Sequence, residues 1–105
     1  EVACVGESVE SAQAKGLNVK EVKLPMLFAG RYVAENRGGR GFIKLVVDTD
    51  RHCLVGCHMV GSYASEIIMT AVMMIDTGLP PERLKKFVFP HPTVAEVIRE
   101  AIFQI

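Results

Sequence analysis

Two β-prone runs, Phe42 to Val47 and Cys53 to Val60, stand on either side of the short polar stretch Asp48-Thr49-Asp50-Arg51-His52. Short polar side chains that hydrogen-bond their own backbone favour a tight reversal, so the runs are expected to pair as an antiparallel hairpin. Side chains alternate across a strand. In the first run Ile43, Leu45 and Val47 form a wholly apolar set, whereas Phe42, Lys44 and Val46 form a mixed one. One face of the hairpin must therefore lie on a core, and the other is semi-exposed or lies against a partner.

The remaining segments fit around such a hairpin. Val2 to Val5 is closed by Gly6 and suits a short strand. Ser8 offers an N-cap and Gly16 a stop for a helix of about two turns. Val19 to Leu24 is interrupted by Lys20, Glu21 and Lys23 and ended by Pro25, the pattern of an edge strand. Between Phe28 and Gly41 the periodicity fades. Gly38-Gly39-Arg40-Gly41 lacks P-loop spacing and a preceding strand, which favours a hairpin or surface loop over a phosphate cradle.

From Tyr63 to Thr77 the pattern is helical, stopped by Gly78 and Pro80-Pro81, and apolar nearly all round. Such a helix is buried on more than one side, and the second cover should come from another domain or subunit. Alternatively, Met69, Met73 and Met74 only fill irregular gaps in the core. A short helix over Pro81 to Lys86 has proline at its permitted first position. The last helix runs from Val94 toward Phe103, with Val94, Val97, Ile98, Ala101, Ile102 and Ile105 at helical spacing. The expected class is α+β: a largely antiparallel sheet covered by helices.

At 105 residues this is one domain. Lys and Arg together number 12, as do Asp and Glu, so no global charge recruits nucleic acid or an anionic membrane. The apolar run Ile67 to Ile75 is about half of the roughly 20 residues that span a bilayer. Three cysteines, an odd number, argue against a secreted disulfide framework and for a reducing compartment, by default the cytoplasm. The chain opens at Glu1 inside an apolar run, which reads as a piece of something longer.

His52-Cys53 and Cys57-His58 have the composition of a metal site. On a regular strand Cys53 and Cys57 share a face about 13 Å apart, with both histidines opposite, so no metal site is expected. Cys4, Cys53 and Cys57 lie in expected strands without a helix N-terminus to activate them, and inert half-buried thiols are expected.

Chemistry points instead to Phe89-Pro90-His91-Pro92-Thr93-Val94-Ala95-Glu96. Two prolines restrict the backbone on either side of His91 and hold it on a rigid bend, with a helix starting directly after. Thr93-x-x-Glu96 matches a capping box, in which the carboxylate serves a backbone amide. The same carboxylate can instead orient His91. Spacing leaves both open, and the roles are compatible.

These residues resemble the His-Pro-Thr-x-x-Glu signature of the flavin-dependent disulfide oxidoreductases, most nearly the dihydrolipoamide dehydrogenases. Glu1-Val2-Ala3-Cys4-Val5-Gly6, Ala29-Gly30-Arg31, Gly41-Phe42-Ile43-Lys44-Leu45 and Val60-Gly61-Ser62-Tyr63-Ala64-Ser65-Glu66 are similar to the C-terminal interface domain of that family, in the same order. The resemblance implies that His91 is the acid/base for thiol protons, that Glu96 holds its ring, and that the pair serves the active site of the other subunit of a homodimer. It also implies FAD- and NAD-binding domains upstream, a bend at Phe89 and Pro90 facing the partner subunit's flavin, and association with a 2-oxo acid dehydrogenase complex. The fragment alone is then expected to bind neither cofactor and to be inactive. The chain carries Phe89 where dihydrolipoamide dehydrogenases commonly have a second histidine, which leaves the thiol substrate open. The alternatives are a related disulfide reductase, glutathione- or mercuric-reductase-like, and a stand-alone interaction module without chemistry.

Overall fold

The computed structural model describes residues 1–105. Four strands, β1 (Val2–Gly6), β2 (Val19–Pro25), β3 (Phe42–Asp48) and β4 (Cys53–Val60), form one antiparallel sheet in the order β1-β4-β3-β2. The hairpin β3–β4 is its centre, and the charged strand β2 is an edge, as its sequence requires. Asp48 explains the turn: its Oδ1 accepts the backbone N–H of Asp50 at 3.0 Å and of Arg51 at 2.9 Å.

Ile43, Leu45 and Val47 are buried on the core face, joined from β4 by Leu54, Cys57 and Met59. That β4 set is not evenly spaced. Val46 lies opposite Gly56 but Val47 opposite Leu54, so Val55 is an extra residue in a β-bulge. The bulge corrects one expectation: Cys53, paired with Asp48, does not share a face with Cys57, because the inserted residue reverses the alternation between them.

Gly6 and Gly56 meet across β1 and β4 at this bulge. A Cβ on Gly56 would stand 1.8 Å from the Glu7 carbonyl oxygen. That carbonyl also accepts from His58 Nε2 at 2.9 Å, and Glu7 N–H donates to Val55 at 2.8 Å, so it has little room to retreat. Gly56→Ala is expected to destabilise the fold by about 3 kcal/mol, the upper part of the usual overpacking range. Chemical denaturation checks this. Gly30→Ala, which meets nothing within 4 Å, is the control and should leave the midpoint almost unmoved.

Helices α3 (Ala64–Thr77) and α5 (Glu96–Ile102) cover the core face, α3 over β1 and β4 and α5 over β2 and β3. Alanines at 64 and 71 let α3 approach the sheet, and Gly78 ends it in a left-handed conformation at φ 65°. Met74 is buried, but Met69 and Met73 are 56% and 60% exposed, so only Met74 fills the core and the opposite stripe has no cover within the chain. Ser8 caps α1 (Val9–Ala14), and α4 (Pro81–Leu84) has proline at its start. No helix is long and apolar enough to cross a membrane.

Between Phe28 and Gly41, where the periodicity fades, the first half is helical and residues 38–41 form the expected loop. A 3₁₀ turn (Met26–Phe28) leads into a one-and-a-half-turn helix, α2 (Gly30–Glu35). Tyr32 is buried there and its hydroxyl donates to the Arg40 carbonyl, tying the glycine-rich loop down. Six residues beginning with glycine are too few to display a periodicity; tertiary burial of Tyr32 holds this helix.

Candidate functional site

The bend between α4 and α5 is anchored at both ends. Phe89 is half-buried and packs back on the core, and Val94 is buried just before α5. Between them Pro90, His91 and Pro92 are exposed, and the His91–Pro92 peptide is cis. The Thr93 hydroxyl donates to the Pro90 carbonyl at 2.8 Å, closing the loop on itself.

Glu96 performs both roles that its spacing left open. Its Oε1 accepts the Thr93 backbone N–H at 2.9 Å, three residues back, as the carboxylate of a capping box would, although the helix itself begins later. The Thr93 side chain does not complete the box, because it is spent on Pro90. The same carboxylate lies 2.9 and 3.1 Å, through its two oxygens, from His91 Nδ1. Helix α5 starts at Glu96, not Val94, so the carboxylate sits in the first helical turn beneath the bend.

The pair is asymmetric in burial. The Glu96 side chain is 7% exposed and that of His91 77%. The Thr93 amide holds the Glu96 carboxyl below the ordinary carboxylate range; burial opposes this, and the His91 hydrogen bond and the Arg99 charge reinforce it. An ionised carboxylate only accepts, so Nδ1 must carry the hydrogen and the lone pair falls on Nε2. Geometrically, the arrangement is an imidazole oriented through Nδ1 on a side chain that is otherwise exposed.

Arg99 was not singled out by sequence reasoning. Its Nη2 lies 3.1 Å from Glu96 Oε2 and 2.8 Å from Glu100 Oε1. The only sequence signal is its position three residues after Glu96, which puts both on one helix face. An open cleft of about 400 Å³ flanks the bend, lined by Arg31, Glu35, Tyr63, Glu66 and residues 92–95. Arg31 bonds Glu35 at 2.6 Å and reaches to 3.5 Å from the Pro92 carbonyl.

The other candidates disperse. His52 sits in the hairpin turn against Glu82 at 2.6 Å, and His58 lies on the open sheet face. Cys57 is fully buried and its thiol is pushed up to about 12 by desolvation, which suits an inert role. Cys53 is buried as well. Cys4 differs from the half-buried expectation: it is exposed, because β1 presents it on the face that the core helices do not cover. The loop 38–41 leads into strand β3, not into a helix N-terminus.

Comparison with known proteins agrees with this fold. Residues 1–102 match the pyridine nucleotide-disulphide oxidoreductase, dimerisation domain. The chain is 33% identical over 102 residues to a dihydrolipoyl dehydrogenase of Zymomonas mobilis, covering 97% of this chain and 22% of that protein. It is 37% identical over 101 residues to that of Thermus scotoductus, covering 96% and 22%. Among solved structures, the HOCl-induced flavoprotein disulfide reductase RclA from Escherichia coli superposes with a TM-score of 0.90 at 27% identity, over 99% of this chain and 24% of that one. The chain thus spans about a fifth of the length of these curated relatives.

Proposed function

The chain belongs to the dimerisation-domain family of the pyridine nucleotide-disulphide oxidoreductases, and on that premise we propose that it is the dimer-forming, proton-transferring part of a dihydrolipoamide-dehydrogenase-like flavoenzyme. The observation that carries the proposal is the pair itself: an exposed imidazole whose Nδ1 is held by a buried, ionised carboxylate. His91 Nε2 takes the proton from one substrate thiol. The thiolate left behind attacks a redox disulfide carried outside this chain, forming a mixed disulfide and releasing a thiolate. Glu96 stabilises the imidazolium formed and keeps the ring in the productive tautomer. Homodimer formation is supported by the uncovered stripe of α3 with Met69 and Met73.

The glycine-rich loop 38–41 does not have the form of a dinucleotide site. Such a site needs a glycine-rich turn between a strand and a helix N-terminus, and the loop 38–41 runs from a helix into a strand. FAD and NAD would be held by upstream domains, and this chain would offer a flavin only the exposed part of the bend at Pro90 and His91. Phe89 turns inward and supports that bend from behind.

A second reading is a disulfide reductase in which electrons run toward the disulfide. Phe89 in place of a second histidine and the likeness to a flavoprotein disulfide reductase favour it. His91 then returns protons to the departing thiolates. Both readings share one test of the pair, Glu96→Gln in the full-length flavoenzyme. Glutamine preserves the cap, so a mere capping residue would tolerate the change silently. The expected result is a roughly 10- to 100-fold loss in kcat/KM with helix content unchanged, less than removal of the base itself.

A further inference from the structure

We propose that Arg99 is a positioning residue of this pair: its guanidinium fixes the Glu96 carboxylate and limits how tightly that carboxylate holds the His91 proton. The inference rests on His91 acting as acid/base, as proposed above. Glu96 Oε1 is already committed to the Thr93 amide, so Oε2 decides how the carboxylate rotates, and Oε2 is where Arg99 binds at 3.1 Å. The guanidinium is itself restrained. Glu100 takes it at 2.8 Å, Phe103 lies 5.9 Å beneath it, and its Nε is buried without a partner. A group gripped on several sides is a fixed charge rather than a waving one.

The electrostatic consequence has a definite sign. A carboxylate alone raises the proton affinity of its imidazole, and a permanent cation on the same carboxylate opposes that rise. Several charges of the neighbouring elements are paired off. On α2, Arg31 is paired with Glu35 at 2.6 Å. Glu66 of α3 lines the far wall of the cleft. Of the strands beneath α5, β3 and β2 carry Lys44 and Glu21, which pair with each other, and Lys23 over the Phe42 ring, on the face turned away from α5. Arg99 is the cation in direct contact with Glu96, and Glu100 tempers it.

The test is the pH dependence of kcat/KM for dithiol oxidation by the full-length flavoenzyme. Taking a thiol proton needs an unprotonated imidazole, so the rate of dithiol oxidation rises with pH. Arg99→Gln should move that rising limb to higher pH, and Arg99→Lys, which keeps the charge, should bring most of it back. Glu100→Gln should move the limb the other way, and it reads the same balance if Arg99→Gln fails to retain flavin. Loss by one factor at every pH, without displacement in the Arg99 and Glu100 variants, would make Arg99 a structural residue and overturn the proposal. His91→Gln separates the two failures: if that variant keeps both rate and limb, the acid/base reading itself falls.

Discussion

His91→Gln in the full-length flavoenzyme should lower the dithiol half-reaction by about 10²- to 10⁴-fold, the usual worth of general acid/base assistance. Glutamine keeps a polar group of similar reach at the bend but cannot take and return a proton near neutral pH. The fold should hardly notice. The His91 side chain is 77% exposed, and what anchors the bend is Phe89, Val94 and the Thr93 bond to Pro90, none of which the substitution touches. Flavin content, dimer formation and denaturation midpoint should stay near those of the unmodified enzyme. Stopped-flow measurement of flavin reduction by dithiol separates this step from turnover. A loss of less than threefold in that step, with the protein intact, would remove His91 from the chemistry and leave the bend a structural feature.

The sequence made the central hairpin legible because β-branched residues, alternation and a polar turn agree there over many positions. It made the bend legible for a different reason, since proline restricts the backbone whatever surrounds it. The bulge at Val55 was illegible. It lies where Gly6 and Gly56 let β1 close on β4 without side chains, and that pairing spans 50 positions of sequence. Helix α2 was hidden because its stability lies in one buried tyrosine rather than in periodicity. Glu96 showed as an ambiguity, and the ambiguity was physical: one carboxylate serves both the Thr93 amide and the imidazole. Arg99 escaped notice because a charge three residues from another on a helix is ordinary. Only burial of the carboxylate between them makes that charge consequential.

Mixed dimers give the largest contrast, because they decide on which subunit's chemistry the exposed base acts. No cysteine of this chain approaches His91: Cys53 and Cys57 are buried in the sheet and Cys4 is on its open face. The exposed imidazole therefore has no thiol of its own domain beside it, and the uncovered stripe of α3 offers a surface on which a second copy can seat. Under this arrangement each site combines the redox cysteines of one chain with His91 of the other. A dimer of one chain lacking the redox cysteines and one carrying His91→Gln then retains one complete site, made of the second chain's cysteines and the first chain's histidine. It should show about half the activity of the unmodified two-site dimer, although both parent homodimers are nearly inactive. The reciprocal pairing, an unmodified chain with a chain bearing both changes, should be nearly inactive, because the only intact cysteines face the mutated histidine. Co-expression with two affinity tags isolates each heterodimer for steady-state assay. Action within one subunit reverses both results, with the first heterodimer dead and the second half-active, and that reversal would rule out a shared site.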